Sequence, residues 1–190
     1  MDAFLCRVAG GATRDAAHVG SVLGASIVGE LYRAGVDNAA PEVLAVVLAA
    51  SDAQNATAVS AAALQAAAAA AGLEGMVVRP WKVGIHTFDP PLHTTGAAGK
   101  VLTVMLCDDK PDSVALRAAT RPAHLEFLKA SPYKGMIGPF PHPSGEGGVG
   151  TCLIIDCDQP EQVAGWAALD PYVSQADLFA TVQLFRFVGK

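Results

Sequence analysis

The first half of this chain is echoed in its second half, and that echo narrows the choice of fold more than any single motif does. A shift of 106 positions carries His18 onto His124 and Asp52 onto Asp158, a shift of 105 lays GLEGMVVRPWKV on DLFATVQLFRFV, and Cys6 agrees with Cys107 at 101. A repeat of this length predicts two copies of one supersecondary unit rather than a single large domain. In the first copy, Asp2 to Ala9 reads as a strand and Thr13 to about Ala25 as a helix opened by Asp15. Ser26 to Arg33 is ambiguous between helix and strand. Glu42 to Ala50, dense in Val and Leu, reads as a buried strand. Ser51 and Asp52 are capping candidates for a helix running to Ala71, and Met76 to Ile85 returns as a strand with Pro80 marking an edge or an irregularity. The second copy repeats the order: strand Val101 to Cys107, helix Ser113 to Ala130, strand Lys134 to Gly138, a Gly-rich loop, strand Gly150 to Cys157, helix Pro160 to Leu169 and strand Ala180 to Val188.

That order, βαββαβ, is the ferredoxin-like split unit, an antiparallel sheet covered by helices on one face only. The bare face needs cover. Two copies in one chain can supply it by packing their open faces together, as two subunits do in a homodimer. The expectation is therefore an α+β protein of two ferredoxin-like units forming an intramolecular pseudo-dimer of the dimeric α/β-barrel type. The units span residues 1–86 and 101–190, joined by a linker at 87–100 (TFDPPLHTTGAAGK) that lacks periodicity and concentrates Pro and Gly. Such a chain is a monomer with an internal pair or, if apolar strand faces stay exposed, a homodimer.

Composition removes several function classes. Hydrophobic residues make up 52% and charged ones 16% of the 190 residues, which suits a packed body rather than a disordered tail. The net charge is −5 without a Lys or Arg cluster, so a phosphate backbone would find no basic track, and no nucleic-acid partner is expected. Cys6, Cys107, Cys152 and Cys157 lie in apolar, strand-like stretches without CxxC spacing, which points to reduced core thiols in a cytoplasmic protein. The start, MDAFLCRVAGG, fits neither a signal nor a transit peptide, and the Ala-rich tract from Ala58 to Gly72 is too short and too weakly apolar for a membrane span.

The second copy carries the residues with chemistry in them. CDDKPDSVALRAATRPAHLEFL, then Gly138-Pro139, then TCLIIDCDQPEQVAGWAALDPY with DLF behind it, resembles the YCII-related domain family in its RxxHL helix, GP turn and DPY motif. RPWKV (Arg79 to Val83) gives the first half a trace of the same pattern, as a degenerate copy would. The resemblance implies a dimeric α/β-barrel assembly with a His and an Asp in a cleft. It also implies small-molecule chemistry, with elimination of HCl from a chlorinated hydroxyquinol as a precedent in one relative.

Those two residues would be His124 and Asp170. His124 borders the apolar face set by Leu125 and Leu128 on its helix. It reads either as a packed histidine capped by a backbone carbonyl or as a base with one ring nitrogen held by a carboxylate. Asp170, in ALDPYV, is either a turn-forming residue before Pro171 or that carboxylate. Within a working pair, Asp170 either orients His124 or itself takes the substrate proton while His124 is the acid. Arg121, one turn before His124, is either placed to clamp an anionic substrate or to hold Asp170, or is a solvent-facing or structural arginine. Gly138, Pro139 and Tyr172 are further candidates for lining the cleft, with a packing role as the other reading of Tyr172.

Other signals lead nowhere. GEGGVG (145–150) matches GxGxxG but follows a Pro-rich loop and leads into a strand, so no dinucleotide site is expected. His86, Asp89 and His93 lie in or beside a Pro-rich loop and are not expected to hold a metal. There is no GxSxG and no Cys beside a base. The first copy keeps His18, but its second helix has no acid to match Asp170, so that copy is expected to be structural. The sequence-level expectation is a cofactor-independent, lyase-like or isomerase-like enzyme acting on a small molecule, with a non-catalytic binding or interaction module as the alternative.

Overall fold

A computed structural model describes residues 1–8, 15–36, 40–48 and 60–190. The first half contributes β1 (Asp2–Val8), α1 (Ala16–Leu23), β2 (Ile27–Arg33), β3 (Glu42–Leu48), α2 (Ala61–Ala70) and β4 (Val77–Lys82). Two short elements follow, β5 (Ile85–His86) and α3 (Leu92–Thr95). The second half contributes β6 (Val101–Asp109), α4 (Val114–Lys129), β7 (Gly135–Pro141), β8 (Gly148–Ile155), α5 (Pro160–Ala167), α6 (Pro171–Ser174) and β9 (Phe179–Gly189). Both halves thus carry the βαββαβ order, and the ambiguous stretch Ser26 to Arg33 resolves into strand β2.

Among the described residues, nine strands form one antiparallel sheet in the order β4-β1-β3-β2-β9-β6-β8-β7-β5. The first four and the next four each follow the split-unit order, so the halves are joined edge to edge where β2 pairs with β9, Leu31 opposite Phe187. The sheet's two outermost strands, β4 and β5, are separated in sequence by only Val83 and Gly84. The sheet therefore curls back on itself and closes a barrel. At the closing seam the Trp81 indole N–H donates to the Gly138 carbonyl at 3.0 Å, and the Gly84 N–H donates to Ile137 O at 3.0 Å.

Alternation along the strands separates three cores. Inward-facing residues of both halves, among them Leu5, Leu44, Trp81, Val104, Phe140 and Phe187, form one cluster that fills the barrel. Their neighbours face outward: Cys6, Val43 and Ala45 pack under α1 and α2, while Met105, Leu153 and Ile155 pack under α4 and α5. The open sheet face that each unit exposes alone is buried here by the other unit, as the repeat predicts.

Some local expectations change. Asp15 is the N-cap of α1, its carboxylate accepting from the Ala17 N–H at 3.0 Å. The helix expected from Ser51 begins instead at Ala61, with the Ser60 hydroxyl as its cap, and Ser51 and Asp52 lie outside the described residues. The segment 87–100 is more than a tether, since Phe88, Leu92 and Ala97 are buried in the barrel core. Gly138-Pro139 is not a turn but lies within β7, where a Cβ on residue 138 would stand 2.0 Å from the Lys82 carbonyl oxygen. Only glycine allows that approach.

Candidate active site

Helix α4 builds one wall of the site. Its buried residues, Arg117, His124 and Leu128, lie seven and four apart, two turns and then one along a single face. Asp170 comes from behind that wall, at the junction where α5 has ended and Pro171 starts α6. Its side chain caps that short helix, accepting from the Tyr172 N–H at 2.9 Å. Both Asp170 carboxylate oxygens also lie 2.8 Å from His124 Nδ1. The two side chains are each 8% exposed, so the pair is buried and held together by direct contact.

A carboxylate facing Nδ1 calls for the proton on that nitrogen, which leaves Nε2 with its lone pair. Nε2 meets no hydrogen-bond partner among the described residues, and His124 lines a cleft of about 500 Å³. Tyr172 clamps the ring from one side, stacked on it with centroids 3.9 Å apart and planes 18° from parallel. The Tyr172 hydroxyl donates to the Arg117 carbonyl at 3.3 Å, and burial pushes its phenol above the ordinary tyrosine range. His124 has few other orientations open to it.

The cleft runs between α4 and the β7–β8 hairpin. Ile85, Leu125, Leu128 and Ile137 supply apolar walls, and Gly138, Pro139 and Gly148 supply the strand side. Arg121 is exposed at the rim one turn before His124, and no carboxylate partners it among the described residues. Every site candidate from the sequence therefore reaches this region: His124, Arg121, Gly138, Pro139 and Tyr172 line it, and Asp170 stands directly behind His124. GEGGVG leads into β8 rather than a helix, and Gly147 and Gly148 lie at the cleft edge.

One residue escaped the sequence reading. Arg117 is buried in the cleft wall, its Nη1 donating to both Asp109 oxygens at 2.7 Å and its Nη2 to Thr151 Oγ1 at 2.6 Å. Its guanidinium lies 4.8 Å from the centre of the Tyr172 ring. Burial pushes the Asp109 carboxyl up, and the Arg117 charge pulls against that shift. The available signal was the spacing, since Arg117 precedes His124 by two helical turns and so shares its face.

Outside the cleft, His86 and His93 lie with ring centroids 5.1 Å apart, and the described residues include no group of three or more His, Cys, Asp or Glu arranged around a metal position. Cys6, Cys107 and Cys152 are buried free thiols, and burial pushes Cys6 up to about 12. None of the described helices is long and apolar enough to cross a membrane. His18 is exposed on α1.

A closed antiparallel barrel made from two βαββαβ halves, with helices outside, places the chain in the dimeric α/β-barrel class, here completed within one polypeptide. A provisionally assigned chlorite dismutase shares the arrangement over 98% of this chain and 95% of its own, with a TM-score of 0.54 at 9% identity. A provisionally assigned monooxygenase from Fusobacterium nucleatum does so over 99% of this chain and 91% of its own, with a TM-score of 0.53 at 10% identity. Within that class the sequence is more specific: the pattern of the YCII-related domain matches residues 101–188. Protein YciI of Escherichia coli is 34% identical over 82 residues, covering 39% of this chain and 84% of YciI. The chain belongs to the YCII-related family.

Proposed function

We propose that the chain is a small-molecule enzyme that needs no cofactor and uses His124 and Asp170 for acid and base chemistry, in an elimination or an isomerisation. The observation that carries this reading is the contact of His124 Nδ1 with both oxygens of a buried Asp170, beside a cleft large enough for a compact molecule. A carboxylate so placed keeps the imidazole in one tautomer and stabilises the imidazolium that forms when Nε2 accepts a proton. The same imidazolium can then return the proton to a leaving group or to a neighbouring atom. Asp170 is itself a poor candidate for the base, because His124 and the Tyr172 N–H occupy it.

Arg121 complements the pair as a cation at the rim that draws an anionic substrate toward His124. The apolar walls favour a compact ring or short chain over a sugar. A phenol or enol that ionises, or carries a carboxylate, meets both demands. The site belongs to one half only: α2 presents no carboxylate to match Asp170, and His18 stands exposed.

The test is a thermal-stabilisation screen with phenolic and enolic acids on the wild type, His124→Ala and His18→Ala. A ligand that binds only the folded chain raises stability by mass action, about 2.7 kcal/mol at a hundred times its Kd. The expected result is a hit that His124→Ala loses and His18→Ala keeps. Ligands that stabilise all three proteins equally would refute the reading, as would hits lost only with His18.

A further inference from the structure

We propose that Arg117 is a third working residue of the cleft, its Nε–H being the fixed donor for the oxyanion that forms on the bound molecule as His124 Nε2 takes a proton. This deepens, and rests on, the acid–base reading of the same cleft. A guanidinium has five N–H groups in a rigid fork. At Arg117, one end of the fork is held: Nη1 lies against both oxygens of Asp109 and Nη2 against Thr151 Oγ1, with Arg117 and Asp109 side chains only 8% and 3% exposed. The Nε–H has no acceptor among the described residues. It lies beside Gly148, where an added Cβ would stand 3.0 Å from Nε, and both residues line the cleft.

The held end orients the free one. A donor fixed before the reaction begins needs no reorganisation when charge develops opposite it, which is how such donors favour a transition state. Arg117 and His124 both pack on the ring of Tyr172, so base and donor come within the span of one small molecule. No Asp or Glu is among the described residues lining the cleft, so nothing there competes for the donor or repels an anion. In the step itself the substrate's C–H or O–H proton passes to His124 Nε2. The electron pair left behind delocalises onto the substrate oxygen as an enolate or phenolate, and that oxygen accepts from Arg117 Nε–H.

The test uses 4-nitrophenol at a pH where it is ionised, with nitrobenzene as the uncharged probe of the same shape, titrated by calorimetry into the wild type, Arg117→Lys and Gly148→Ala. Lysine keeps a cation for Asp109 and loses the Nε donor; the Gly148→Ala methyl crowds that donor and leaves the guanidinium's other bonds in place. Losing a hydrogen bond to a charged oxygen should weaken phenolate binding about ten- to a hundredfold more than nitrobenzene binding in both variants. Unchanged phenolate affinity in Arg117→Lys, or equal losses for both probes, would overturn the role of Arg117 alone. A wild-type protein that binds neither probe would overturn the acid–base reading of the cleft and this inference with it.

Discussion

At the scale of single residues, the chain separates two kinds of histidine by what stands beside them. His124 has a carboxylate at Nδ1 and a stacked tyrosine, and its second nitrogen has no hydrogen-bond partner among the described residues. His86 has no such partner: its Nε2 is buried without a hydrogen bond among the described residues, with His93 close by. Burial, and then the nearby charge of His93, hold His86 below the usual histidine value of 6.5. A histidine lowered in the folded state binds fewer protons there than in the unfolded chain, so stability rises with pH across that window. The contribution is fully present above 6.5 and is lost as pH falls through the lowered value. The melting temperature should therefore drop on acidification from about pH 7.5 to about pH 5.5, and His86→Leu should reduce the drop. An equal drop in the variant would show that other groups carry the pH dependence.

At the scale of elements, the two seams between the halves resemble each other, and each depends on a glycine. In the β2–β9 seam a Cβ at Gly29 would enter the Phe187 ring at 2.4 Å; in the β4–β7 seam one at Gly138 would meet the Lys82 carbonyl oxygen at 2.0 Å. Each seam also has an arginine of the first half over an aromatic ring of the second, Arg33 over Phe185 at 5.7 Å and Arg79 over Phe140 at 3.5 Å. A methyl at residue 138 has backbone on its far side and cannot be accommodated by a rotamer change. Gly138→Ala should cost about 1–3 kcal/mol or more in chemical denaturation. Because Gly138 also borders the cleft, the same variant should weaken ligand binding. A variant as stable as the wild type would mean that the seam is looser than its geometry.

At the scale of the whole molecule, one core shared by both halves ties their stabilities together. The barrel interior draws Leu5, Leu44 and Trp81 from the first half and Val104, Phe140 and Phe187 from the second, and burying each such side chain contributes about 1.5–3 kcal/mol. Neither half alone can keep those faces dry. The two tryptophans report on different places, Trp81 inside the barrel and Trp166 in the outer cluster of the second half, stacked on Phe127 at 5.0 Å. Denaturation followed by fluorescence in Trp81→Phe and in Trp166→Phe should give one common transition once normalised for stability, because the halves unfold together. Two separated transitions would assign them independent stability.

By itself the sequence determined the α+β class and the order of elements outside Ser26 to Arg33, and it singled out His124 and Asp170, whose side chains are in contact. Those depend on period, punctuation and local motif, all of which are written along the chain. Tertiary structure decided the rest. Ser26 to Arg33 carries no decisive local preference and becomes a strand because β3 and β9 flank it. The segment 87–100 looks like a tether in composition, yet Phe88 and Leu92 find room in the barrel core. Gly138-Pro139 resembles a turn until the first half packs against it. Arg117 drew no notice, because its meaning comes from Asp109, Thr151 and Tyr172, which reach it from two strands and another helix. A residue's partners across space are set only when the sheet closes.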